Sequence, residues 1–164
     1  MDKPIYFDYA ATTPVRPEAR EAMVDALGQF GNPSSRYAYG REAAARVKAD
    51  RETVAQALDC DPPEVCFTSC GTESDNWALR RGVELNRRKG KHILTTAMEH
   101  AAVLETCRDL ERQGYEVTRL KPDRAGRITA EQVTAALRPD TALVSMMLVN
   151  NETGVVLPVR ECVE

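Results

Sequence analysis

No apolar run in this sequence reaches membrane-spanning length, and the opening residues Met1-Asp2-Lys3-Pro4 carry no signal-peptide core. The expectation is therefore a chain without a membrane span or a secretory leader. An excess of positive charge is also lacking: the net charge is -3, which gives no reason to expect nucleic acid as a partner. The basic residues Arg80, Arg81, Arg87, Arg88, Lys89 and Lys91 form a local cluster, and cations suit the solvated C-terminal end of a helix. The five cysteines are an odd number without small-scaffold spacing, which argues for reduced thiols in a cytoplasmic protein. No Cys-x-x-Cys pair occurs, and Cys60, Cys66 and Cys70 are not spaced as zinc ligands, so no metal site is expected. Internal repeats and low-complexity segments are absent as well.

What is present reads as a soluble α/β chain. With 164 residues, 43% hydrophobic and 29% charged, there is enough material for a domain with a real core. Ile5-Tyr6-Phe7 is a short β-type run followed by a turn of small residues, Asp8 to Pro14. Pro17 opens a helix where its missing N–H costs nothing, and Gly28 to Gly31 ends it. A second helix is predicted from about Gly40 to Leu58, with Arg51 the one break in its apolar stripe. Strands are expected at Glu64–Thr68, His92–Thr96, Tyr115–Leu120 and Thr141–Val149, the last apolar enough for burial on both faces. Between them run helices from about Glu73 to Arg88, from His100 to Gln113, and from a Thr129 cap through Leu137. Strands alternating with helices predict a mostly parallel sheet with helices on both faces. Cys66 and Cys107 fit as small core residues, and His92 as a structural residue at a strand start.

The chemistry concentrates in loops that follow the expected strands. Thr68-Ser69-Cys70-Gly71-Thr72-Glu73-Ser74-Asp75-Asn76 reads as a strand end, a turn of small hydroxyl-bearing residues and a helix start. The first amides of a helix have no acceptor within it, and the helix dipole adds positive potential, so such a turn is an anion cradle. Ser69, Gly71 and Thr72 are small enough for a phosphate to approach the backbone. Glu99-His100 and Asn150-Asn151-Glu152-Thr153-Gly154 each follow another strand. Ligands of parallel sheets bind beyond the carboxyl ends of the strands, so three polar loops there say more than one.

Five blocks taken together carry a family resemblance: Tyr6 to Thr13, Gly31-Asn32-Pro33-Ser34-Ser35, Phe67 to Asn76, Glu99-His100, and Asn150 to Gly154. In order and spacing the chain resembles the cysteine desulfurases, pyridoxal 5'-phosphate (PLP) enzymes of the class V aminotransferase group with the fold type I architecture. Cys70 before Gly-Thr is most similar to the nitrogen-fixation type. The resemblance implies that Gly71 and Thr72 bind the PLP phosphate, that His100 stacks on the pyridine ring and moves protons, and that Asn151 hydrogen-bonds the phenolic oxygen. A flat imidazole that titrates near neutrality suits both tasks given to His100. Asn32 and the Ala10–Thr13 turn are implied to lie toward the substrate. The implied substrate is L-cysteine, and the products are alanine and an enzyme persulfide. Its sulfur passes to an acceptor such as an iron–sulfur scaffold protein, and the implied enzyme is a cytoplasmic homodimer.

The same resemblance implies a departure. Family members hold the cofactor aldehyde with a lysine after a Ser-x-His segment, and none of Lys3, Lys48, Lys89, Lys91 and Lys121 lies in that context. The carboxylate that pairs with the ring nitrogen and the cysteine that carries the persulfide are not found either. The expectation is the N-terminal part of a desulfurase, inactive alone. Residues 1–40 would form an N-terminal segment with a helix and substrate-side loops, and residues 41–164 the first part of an incomplete PLP-binding large domain. Exposed apolar surface is expected around Leu143–Val149. Two alternatives stay open: a related PLP lyase such as one acting on selenocysteine, and a non-catalytic remnant or half of a split enzyme.

Overall fold

A computed structural model describes residues 4–163. The chain divides into two compact units, Met1–Phe67 and Thr68–Glu164. The first unit is helical. Helix α1 spans Pro17–Leu27 with proline in its first turn, and α2 spans Ala38–Leu58 and ends on Asp59 in the left-handed region at φ 53°. A tight helical turn, Pro62–Glu64, follows. Arg51 breaks the apolar stripe of α2 for a visible reason. Its guanidinium donates to the Val65 carbonyl and lies over the Phe67 ring, 4.8 Å from the centroid. Such a contact uses the flat cation against the ring face while the side-chain stem covers apolar surface.

Three expectations fail here. Residues 4–8 are irregular, so Ile5-Tyr6-Phe7 is not a strand. Glu64–Thr68 is not a strand either: Glu64 belongs to the helical turn, and Val65–Phe67 pair with no strand among the described residues. Extended apolar residues become a strand only where another backbone meets their N–H and C=O groups. Cys66 is exposed rather than a core residue.

The second unit is an α/β layer structure. Helix α3, Gly71–Leu85, leads to strand β1, His92–Thr96. Helix α4, Ala101–Arg112, leads to β2, Glu116–Leu120. Helix α5, Ala130–Ala136, leads to β3, Thr141–Val144, and α6 spans Val159–Val163. The strands form a parallel sheet in the order β2-β1-β3, with His92 opposite Glu116 on one side and Thr141 on the other. All five residues of β1 are buried. Side chains alternate across a strand, so Ile93 packs with Leu79, Val83, Val103, Cys107 and Leu110 from α3 and α4. Its neighbour Leu94 packs on the other face with Ile128, Val133 and Leu157. The expected sheet with helices on both faces is thus present, and Cys107 is the buried core thiol that its position implied.

The Thr129 cap is present as expected. Its hydroxyl accepts the Gln132 amide at 3.3 Å, and the Gln132 side chain accepts the Thr129 amide at 2.9 Å. The expected strand over Thr141–Val149 is cut to its first four residues. β3 is an edge strand among the described residues, and Val144, Leu148 and Val149 are exposed, so the expected burial on both faces is absent while the exposed apolar surface expected around Leu143–Val149 is present. Apolar character alone does not distinguish a central strand from one that lacks a neighbour. His92 is structural: fully buried, it places Nδ1 2.8 Å from the Thr141 hydroxyl and Nε2 2.9 Å from that of Thr118. One imidazole therefore ties all three strands.

Candidate cofactor site

The turn before α3 is built to leave amides open. The first α3 amide with a backbone acceptor is that of Ser74, bonded to the Cys70 carbonyl at 3.1 Å. The amides of Gly71, Thr72 and Glu73 precede it and have no acceptor within the helix. The Cys70 thiol shows their effect. Its pKa is lowered, foremost by the Glu73 amide, then by the Ser69 hydroxyl and the Thr72 amide, because these donors favour a negative sulfur. Glu73 folds back to accept the Ser69 amide at 2.6 Å and the Ser69 hydroxyl at 2.7 Å, and these bonds hold its carboxyl below the usual range. A Cβ on Gly71 would meet no protein atom within 4 Å, so the backbone at this turn borders open space.

His100 sits at the cap of α4, just beyond the carboxyl end of β1. Its Nδ1 accepts the Ala102 amide at 3.1 Å. The proton of the neutral ring is therefore on Nε2. Thr72 and His100 line one cleft of about 440 Å³, together with Asn76, Arg80, Ala102 and Glu105. Arg80 is held at the cleft by Asp109, 2.8 Å away, so the basic cluster is partly neutralised. Two helix N-termini, those of α3 and α4, open onto this cleft and favour an anion there. None of the lysines among the described residues lines it.

Asn151 is not in the cleft lining. It is exposed, and its side-chain amide donates to Glu152 at 3.2 Å. Its loop is a tight hairpin, with the Asn150 amide on the Val155 carbonyl at 2.9 Å and the Leu157 amide on the Leu148 carbonyl at 2.8 Å. Gly154 takes φ +72°, a turn conformation that side chains disfavour. Asn32 and the Ala10–Thr13 turn belong to the first unit. Asn32 accepts the Ser34 amide at 2.9 Å, and Asp8 accepts the Ala11 amide.

Two residues that carry much of the local order stood in the polar blocks read from sequence but were given no role there. Glu99 is 7% exposed, and its Oε1 accepts the Thr96 hydroxyl and the Met147 amide, each at 2.9 Å. Burial raises its pKa, opposed by those two bonds. Asn150 is 5% exposed and donates to the Met98 carbonyl at 2.8 Å, while its oxygen accepts the Glu152 and Thr153 amides and the Thr153 hydroxyl. The available signal was adjacency: each precedes a candidate residue, His100 or Asn151.

A pyridine ring carrying a phosphate fits this donor set. Open amides and open space at Gly71 suit the phosphate, and a flat exposed imidazole beside Thr72 suits the ring. Comparisons with known proteins point the same way. A family model described as Aminotransferase class-V matches residues 5–164. Cysteine desulfurase IscS of Acinetobacter baumannii (strain AYE) is 53% identical over 164 residues, covering 97% of this chain and 40% of that protein. Cysteine desulfurase IscS of Shewanella pealeana is 52% identical over 160 residues, covering 95% and 40%. Among solved structures, a NifS-like protein superposes with a TM-score of 0.91 at 39% identity, covering 97% of this chain and 44% of that one. SspA in complex with cysteine gives 0.86 at 39% identity, covering 96% and 46%. The chain spans about 40% of the length of the curated relatives it matches.

Proposed function

Because this chain belongs to the class-V aminotransferase family, we propose that it supplies the phosphate-side and ring-side residues of a PLP-dependent cysteine desulfurase. The whole enzyme would take L-cysteine, release alanine and pass the sulfur as a persulfide to an acceptor such as an iron–sulfur scaffold. It would work as a cytoplasmic homodimer. The observation that carries the reading is the meeting of Thr72 and His100 on one cleft, at the open N-terminus of α3. The relatives named cysteine desulfurase support the choice of substrate. Residues 41–164 contribute the cofactor side, and residues 1–40 the substrate side.

The roles follow from the groups present. The Gly71 and Thr72 amides and the α3 dipole would hold the phosphate, with the Thr72 hydroxyl as a further donor. PLP, when bound, supplies the electron sink that lets bonds at the α and β carbons of an amino acid break. His100 would lie against the ring, and it holds a proton at Nε2, the nitrogen left free by the Ala102 amide. Asn151, outside the cleft lining and with its side-chain amide on Glu152, would have to turn that amide toward the cleft to donate to the phenolic oxygen. No lysine among the described residues lines the cleft.

Titration of the purified protein with PLP, read by absorbance and by quenching of Trp77, tests the reading. Saturable binding is expected, weakened about tenfold by His100→Ala, the loss of roughly 1.4 kcal/mol. Thr72→Ala is expected to weaken both PLP and inorganic phosphate, since it acts on the anion end. If neither substitution changes binding, the assignment of this cleft is wrong. Alanine or sulfide release from L-cysteine by these 164 residues alone is not expected, and its detection would overturn the reading that the covalent anchor is missing here.

A further inference from the structure

We propose that Glu99 and Asn150 form a reciprocal latch that sets the spacing of the His100 loop and the Asn150–Gly154 loop, as positioning residues for the cofactor. The purpose rests on the PLP reading above, but the latch itself rests on hydrogen bonds. Glu99 comes from the loop after β1 and reaches the Met147 amide, in the segment after β3, at 2.9 Å. Asn150 comes from that second segment and reaches back to the Met98 carbonyl, in the first loop, at 2.8 Å. Each loop thus sends one buried side chain to the backbone of the other, and each of those side chains immediately precedes a candidate cofactor residue.

Both residues are also anchored at home. Glu99 accepts the Thr96 hydroxyl, the last residue of β1. The Asn150 oxygen gathers the Glu152 and Thr153 amides and so shapes its own loop. The latch therefore connects the sheet, the α4 cap and the hairpin through buried, hydrogen-bonded polar side chains, an arrangement that holds a site in one geometry. A carboxyl in this place is costly. Burial opposes its charge, and Asp75 adds like-charge repulsion. Departures from local rules of this kind concentrate where function requires them. An apolar pair would fill the same space without fixing the direction of either backbone.

Hydrogen–deuterium exchange on the purified protein tests the latch without any cofactor. Glu99→Ala is expected to speed exchange across 147–154 about tenfold, and Asn150→Ala across 97–101, with Ile93 and Leu94 in β1 unchanged. Glu99→Gln keeps an oxygen for both bonds and is expected to restore the wild-type pattern. PLP affinity is expected to fall about tenfold in each alanine variant, and no further in the double variant, because either cut frees the same pair of loops. Should Glu99→Ala expose β1 to exchange, Asn150→Asp gives the narrower cut: it keeps the oxygen bonds and removes the donor to Met98. Faster exchange at 97–101 then supports the latch. Unchanged exchange in the opposite loop, or additive losses in the double variant, overturns it. If the loops are coupled but the wild-type protein takes no PLP, the latch stands and the cofactor reading fails. If PLP binds and the loops are uncoupled, the latch falls and the cofactor reading stands.

Discussion

The two units use the same kinds of helix and reach different states of burial. In Met1–Phe67, helix α1 has no buried residue, and α2 buries only Gly40 and Ala55. Leu27 remains 86% exposed and Phe30 82%. In Thr68–Glu164, α4 alone buries Ala102, Val103, Thr106, Cys107 and Leu110, and Ile93 and Leu94 on β1 are almost completely covered. Helical periodicity is present in both. What differs is a surface to receive it. β1 offers an apolar side chain to each face of a sheet, so α3 and α4 find one side and α5 the other. An amphipathic helix turns its stripe into stability only when a second element takes that stripe out of water.

Substitutions in the two units break or sharpen this contrast. The largest effect is expected for Ile93→Ala, at about 2–5 kcal/mol, through lost burial and the cavity left behind. Leu27→Ala in α1 should cost no more than about 0.5 kcal/mol. Urea denaturation followed by Trp77 fluorescence and helical circular dichroism measures both, and equal costs would erase the distinction. Next comes His92→Ala, expected to cost about 1–3 kcal/mol because it leaves the Thr118 and Thr141 hydroxyls without their shared partner.

His92 also predicts a pH dependence. Burial, then the Arg138 charge, lowers its pKa, while Asp140 and Glu116 oppose. The unfolded chain therefore binds the proton more readily, and stability is lost as pH falls from about 6.5 toward the folded value. Denaturation midpoints at several pH values should slope in this window for wild type and flatten for His92→Gln. A smaller effect is expected in the first unit for Arg51→Ala, about 1 kcal/mol, since it removes the bond to Val65 and the contact with Phe67. The smallest is Glu111→Gln. Its paired bonds with Arg119, both 2.8 Å, lie near the surface and should contribute about 0.5 kcal/mol, less at high salt.

Much of the second unit was legible in the sequence, because its signals are local. Helix periods, the Thr129 cap, the strand over His92–Thr96 and the small-residue turn before α3 depend on residues a few positions apart. The helix start at Gly71 was legible for the same reason: it leaves its first amides without a helical acceptor whatever surrounds it. The false strand at Glu64–Thr68 and the overlong one at Thr141–Val149 show the limit. Their apolar residues suit a strand, but pairing is a property of a second backbone. Asn151 was visible as part of a polar loop, whereas Asn150, the residue that anchors that loop, was not distinguishable from it.

By itself, then, the sequence determined helices α1 to α5, strands β1 and β2, the parallel α/β class, and the candidate phosphate turn with His100 at the next helix start. Each follows from short-range sterics, capping and periodicity. Only the tertiary structure decided which strand is central, that His92 ties three strands, and that Thr72 and His100 share a cleft. It alone decided that Glu99 and Asn150 join loops 48 and 52 residues apart. Those facts are contacts between distant segments, and their energy exists only once the chain has brought the segments together.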